Sequence, residues 1–247
     1  MNKLVTRLVL SCSLLAAAAW ARADVVNVYT GANFAPLMLA DGRGLYPDLV
    51  AYLNLRKVGG HTYVLRFIPR KRLQVKLEEG TLDGLVIGMM PEWLADPRQT
   101  KYLWTAPFDS DRIALLSLAA RPVNPQVPRT LHGASVGLTA GYVYPGLESW
   151  LAKSRLKASA GMGDEKNIEK LLLGRVDCVL VGEAIARYYI KTHQLQDTLR
   201  LYPLPGPVSQ RRFMAQRGQK PVYDQLVPAI ARLKTDPAWQ RIAAAYK

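Results

Sequence analysis

Cysteine is almost absent from this chain: Cys12 and Cys178 are the only two among 247 residues. Cys12 falls in an N-terminal segment that reads as removable, so the remainder keeps one thiol and no intramolecular disulfide is possible. Cys178 lies in the apolar run VDCVLV and is expected to be a small buried hydrophobe, not a nucleophile. Histidine is scarce too. His61, His132 and His193 are far apart, and no His/Cys cluster has the spacing of a metal site. Neither a metal nor another cofactor is expected. Acidic residues are outnumbered, 19 against 33 Lys and Arg, which gives a formal net charge of +14. Such a balance suits nucleic acid, an anionic surface or an anionic ligand. The cations are scattered among alternating elements instead of gathered on one helix or tail, which argues against nucleic acid.

The one long apolar run is N-terminal. Lys3 and Arg7 precede an apolar Leu8–Trp20, and Ala21-Arg22-Ala23 supplies small residues where a cleavage site needs them. This reads as a secretory signal peptide, too short for a membrane span. Leu10 is wrong for a lipidation motif at Cys12. Removing residues 1–23 from 247 leaves 224, and taking away Lys3, Arg7 and Arg22 lowers the charge from +14 to +11. The expected product is soluble and exported, one large domain or two lobes of roughly 100 residues each.

Past residue 23 the pattern alternates. Val25–Thr30, Thr62–Ile68 and Leu82–Gly88 read as strands, with helices over Asp48–Val58 and Arg70–Glu79 between them. Strands apolar on both faces, alternating with helices, predict a parallel sheet covered on both sides. After Ile113–Ala120 the segment RPVNPQVPR breaks the pattern and reads as a linker. A second α/β unit follows, with strands at Ser135–Leu138, Lys157–Met162 and Val176–Val181. Its helices are expected from Gly141 to about Lys153, over Glu165–Leu173 and over Glu183–Thr192. A second proline break, Tyr202–Pro207, precedes the strand-like RRFMAQ and helices over Pro221–Lys234 and Pro237–Tyr246.

The order of several short segments resembles the bacterial extracellular solute-binding proteins of family 3, of the type II periplasmic binding fold. They are NFAPL, DGRGLYPDLV, LEEGTLDGLVIG, Arg98-x5-WTAPF, GASVGLTAG, LLLGRVDCVL and the closing LVPAIARLKTDPAWQRIAAAYK. Each is weak alone; their order and spacing across the chain are specific. The resemblance implies an α/β protein of two lobes, each a mainly parallel sheet flanked by helices, joined by two hinge strands. On this reading residues 24–119 and 207–247 form the first lobe and 120–206 the second. It also implies a periplasmic location, a small-molecule ligand held between the lobes, a membrane permease of an ABC importer as partner, and a monomer.

Candidate ligand-binding residues follow from strand ends, helix starts and the resemblance. Arg98 ends the loop after the third strand and matches the arginine that grips a ligand carboxylate in the family, a task suited to the planar guanidinium. An exposed loop arginine is the alternative. Phe34 matches an aromatic that packs on ligand, and Trp93 could line the same pocket. Arg70 and Arg72 stand in the first helical turn after Pro69, where cations oppose the helix dipole unless an anion is near. Gly141 and Tyr142 are expected to open a helix whose free N–H groups face the cleft, with Thr139 adding a hydroxyl. Glu183 is either a cation-binding acid or an ordinary first-turn acid. Two departures from the family stand out. Gly88 to Arg98 spans ten residues where the family has seven, with Ala95 in place of a threonine, and Gly182 replaces the aspartate that takes a ligand ammonium.

The leading expectation is a binding protein for a small polar or anionic solute, an amino acid or carboxylate, that closes about a hinge and breaks no bond. The rival is a dehydratase of the cyclohexadienyl type on the same fold, with Glu183, Asp111 or Glu92 as general acid. A sensory module acting through a separate membrane partner is the third. No nucleophile–base arrangement is visible in the sequence.

Overall fold

The computed structural model describes residues 24–144 and 146–246, so the expected signal peptide and Cys12 lie outside the described residues. Two mixed sheets carry the molecule. The first is ordered β2 (Thr62–Phe67), β1 (Val25–Thr30), β3 (Gly84–Met89), β11 (Ser209–Ala215), β4 (Leu103–Trp104), with β5 (Asp109–Asp111) paired to the far end of β11. The second runs β10 (Leu199–Pro203), β6 (Ile113–Leu118), β9 (Cys178–Gly182), β7 (Ser135–Thr139), β8 (Lys157–Gly161). Helices α1 (Leu45–Leu55), α2 (Arg70–Glu78), α6 (Lys220–Arg232) and α7 (Pro237–Ala244) accompany the first sheet. Helices α3 (Glu148–Ser154), α4 (Asp164–Leu172) and α5 (Glu183–Thr192) accompany the second.

Strands that are apolar at every position do so because each face has its own core. In β3, Leu85 and Ile87 join one cluster with α1, α6 and α7, while Val86 turns to the α2 side. In β9, Cys178 and Leu180 pack with the α3 side, and Val179 and Val181 with α4 and α5. This period of two across a doubly covered sheet is what the unbroken runs predict. Cys178 is fully buried, and burial pushes its thiol up to about 12.

Three expectations need correction. The sheets are mixed, not mainly parallel: β11 runs antiparallel to β3 and β4, and β6 antiparallel to β9 and β10. The first lobe does not extend to residue 119, because β6 hydrogen-bonds only inside the second sheet and the chain has crossed by Ile113. Finally, residues 121–129 are not a linker between lobes. Val123 is buried against the second sheet, its N–H bonded to Ser117 Oγ at 3.2 Å, and Thr130 Oγ1 ties the turn at Asn124. The crossing strand β5 and the return through residues 204–208 into β11 are instead bonded to each other, Asp111 opposite Ser209 and Asp109 opposite Arg211.

Candidate functional site

Where the two sheets face each other lies a cavity of about 900 Å³. Its walls come from the carboxyl ends of β1, β3, β7 and β8, from the start of α2 and α4, and from the crossing segments. Strand ends leave loop backbone and side chains free to converge, which is why open α/β sheets keep their ligand sites there. Among the expected site residues, Phe34, Arg70, Trp93, Thr139, Gly141 and Tyr142 all line this cavity. Arg72, Arg98 and Glu183 do not.

Phe34 follows β1 and packs against core residues of both lobes. Arg70 is the first residue of α2, and its Cζ stands 5.1 Å from the centre of the Trp93 ring. The ring's electron-rich face offsets a cation that the helix terminus disfavours. Lys71, Leu73 and Gln74 also turn to the cavity, whereas Arg72 is carried out to solvent by the helical rotation.

Arg98 is exposed because its loop is wound around another residue. Asp96 is buried, 3% exposed, and accepts the N–H groups of Thr100, Lys101 and Tyr102 and Nε1–H of Trp104, at 2.8 to 3.1 Å. Burial opposes its charge, but these donors hold its pKa down to about 2. Ala95 and Gln99 adopt left-handed φ of 51° and 55° to close the loop. The lengthened loop therefore serves its own carboxylate and points Arg98 outward.

On the opposite wall the helix expected at Gly141 starts only at Glu148. Tyr142 N–H is already used by Thr139 C=O at 3.1 Å, so residues 141–142 form a turn and offer no helix terminus. Thr139 Oγ–H donates to Asp164 Oδ1 at 2.6 Å and lies 3.4 Å from Asn167 Nδ2, which donates to it. Asp164 is 6% exposed and lines the cavity. Burial raises its pKa, with the Thr139 hydrogen bond and Arg211 acting against that.

At the floor, Arg211 is buried between Asp109 and Asp111, 3.6 Å from each carboxylate, and against the Tyr46 hydroxyl. Burial alone would lower its pKa; the tyrosine and both acids carry it upward. Asp111 Oδ1 accepts the N–H groups of Arg112 at 2.8 Å and Ala184 at 3.1 Å. A Cβ on Gly182 would stand 2.6 Å from Asp111 Oδ2, so the absent side chain at 182 is what admits the Asp111 carboxylate. Glu183 is turned away and ion-paired to Arg187 at 2.5 Å and Arg112 at 3.5 Å, bordering a separate hollow of about 240 Å³ behind the crossing strands. Asp164, Arg211 and Tyr46 escaped the sequence reading. Arg211 alternates with Phe213 and Ala215, and one cation in an apolar alternation was a usable signal. A Gly-Asp pair before a helix looks like any other helix start.

Among the described residues no group of three or more His, Cys, Asp or Glu side chains could hold a metal ion, and no helix is long and apolar enough to cross a membrane. No protein-family profile and no curated protein matches the chain in sequence. Its backbone does match solved structures. A histidine-bound substrate-binding protein of an ABC uptake transporter from Streptococcus pneumoniae superposes with a TM-score of 0.69 at 16% identity, covering 90% of this chain and 92% of its own. An ancestral arginine-binding protein with arginine bound gives 0.67 at 17%, covering 90% and 97%. An ancestral amino-acid-binding protein described as a precursor of cyclohexadienyl dehydratase gives 0.66 at 15%, covering 90% and 94%. The fold is that of the two-lobed periplasmic binding proteins. In that fold, β5 and β11 are the strands that join the lobes, and the cavity is the cleft between them.

Proposed function

We propose that the protein captures a small polar solute, an amino acid or related carboxylate, by closing its two lobes, and presents it to the membrane permease of an ABC importer. One observation carries this reading: a cavity of about 900 Å³ whose walls belong to two sheets that, among the described residues, are connected through one pair of hydrogen-bonded strands. A ligand that touches both walls binds the closed state better than the open one, and that difference drives closure. No covalent step is needed. The periplasm is the proposed location and a monomer the proposed state.

Isothermal titration and thermal-shift screens over amino acids, small carboxylates and polyamines test the reading. A saturable response to one class supports it, and silence across all three removes it. The dehydratase alternative needs an acid poised over the cavity. Of the three proposed from sequence, Glu183 is ion-paired outside it and Asp111 is held by two backbone N–H groups and Arg211, which leaves the exposed Glu92. Aromatic product from arogenate or prephenate would establish turnover and overturn the binder reading.

A further inference from the structure

A cavity wall that offers an acceptor with nothing donating to it states what its ligand must bring. The second lobe has such a wall. Thr139 Oγ–H points its proton at Asp164 Oδ1 (2.6 Å) while its oxygen faces Asn167 Nδ2 (3.4 Å). The relay Asn167 to Thr139 to Asp164 runs in one direction, and each donation polarises the next toward the carboxylate. Asp164 Oδ1 is thereby fixed as an acceptor. No described residue donates to its Oδ2, although the side chain is 6% exposed and lines the cavity.

The charges around Asp164 favour a cation as the missing donor. Thr139 comes from β7, Tyr142 and Tyr144 from the loop after it, and Asn167 and Glu165 from α4 itself. Arg211 and Asp111 face it from the crossing strands. Arg211 is matched there by both Asp109 and Asp111, and Lys166, a further cation lining the cavity from α4, is paired with Glu169. Tyr142, 37% exposed at the cavity wall, feels the charges of both Asp164 and Arg70 and presents a ring of the kind that attracts cations. The position that could have supplied another acid, residue 182, is a glycine.

We propose that Asp164 receives a positively charged, hydrogen-bond-donating end of the ligand, an ammonium or guanidinium, with Thr139 and Asn167 holding the carboxylate as acceptor and Tyr142 flanking the cation. This rests on the solute-binding reading and narrows its ligand to molecules with a cationic group. Ion pairing with such a group restores the charged form of Asp164 that burial disfavours.

The test is isothermal titration of the whole protein with L-arginine, putrescine and succinate, repeated on Asp164→Asn and Asp164→Glu. The expected result is binding of L-arginine or putrescine that weakens roughly ten- to hundredfold in Asp164→Asn, as for loss of a charge-assisted hydrogen bond. Asp164→Glu should recover part of it. The melting temperature of unliganded Asp164→Asn should be unchanged or raised, because a merely structural acid would lower it on removal. If succinate binds and neither cation does, or if Asp164→Asn binds the cations as tightly as the parent, this inference falls and the solute-binding reading stands. If none of the broad solute classes binds, both fall. Should Asp164→Asn fail to fold, the unaltered protein decides through pH. Putrescine stays doubly charged between about pH 7.5 and about 4, so its affinity must drop on acidification as Asp164 takes up a proton. A flat profile overturns the proposal.

Discussion

Asp96 shows how one side chain decides what its neighbours do. With three backbone N–H groups and an indole N–H bonded to it, the carboxylate organises residues 95–104 and turns Arg98 to solvent. Its depressed pKa, about 2, makes its stabilising contribution fully present above the ordinary carboxylate range and lost as pH falls through 4 toward 2. Asp96→Asn, which keeps the shape but not the charge, should cost about 2 kcal/mol in urea denaturation at pH 7, with the deficit vanishing near the acid end. An unchanged midpoint at pH 7 would show that the loop holds itself. Gly88 is a second decisive residue. Its φ is 80°, and a Cβ there would meet the Tyr46 hydroxyl at 2.0 Å, beside Arg211. Gly88→Ala is expected to lose roughly 1–3 kcal/mol by the same assay, since backbone strain and the clash with a fully buried tyrosine coincide. Neither role was legible in sequence, where Asp96 looks like loop filler and Gly88 like the end of a strand.

At the scale of elements, most strands and helices were legible because burial on both faces leaves unbroken apolar runs and helices leave punctuated ones. Glu183–Thr192 agrees with the reading at both ends, and Arg70–Glu78 to within a residue. The errors share a cause. Proline density in residues 121–129 marks an irregular segment, but whether such a segment joins lobes or turns within one depends on which sheet its flanks pair with. The actual joint, β5 with β11, is three residues long on one side and too polar to resemble a strand. Arg211 staples it. Arg211→Met would remove the buried cation that faces Asp109 and Asp111 and should cost about 3–5 kcal/mol at neutral pH. A loss under about 1 kcal/mol, followed by circular dichroism in urea, would show that the charge of Arg211 does not hold the joint.

For the whole molecule, two separately cored sheets and one short paired joint favour rigid-body motion over local rearrangement. Closure should show as a lower radius of gyration by small-angle X-ray scattering when a bound solute saturates the protein. Trp93 emission should change in the same titration, because Trp93 lines the cavity beneath Arg70. Scattering curves that superpose with and without a bound solute would confine recognition to one lobe.

The alternation of strands and helices was written in the residues, because periodic burial is a local pattern, and the order of the motifs pointed through family resemblance to a two-lobed plan. Which charges face the cleft was set by packing in three dimensions. Arg98 was excluded by a hydrogen-bonded loop closing on Asp96, and Glu183 by ion pairs with Arg187 and Arg112. Asp111 and Arg211 were brought together by the strands that cross between the sheets, and the start of α4 sets Asp164 within reach of their charges. The direction of a charged side chain depends on partners distant in the chain, and a one-dimensional pattern does not carry that information.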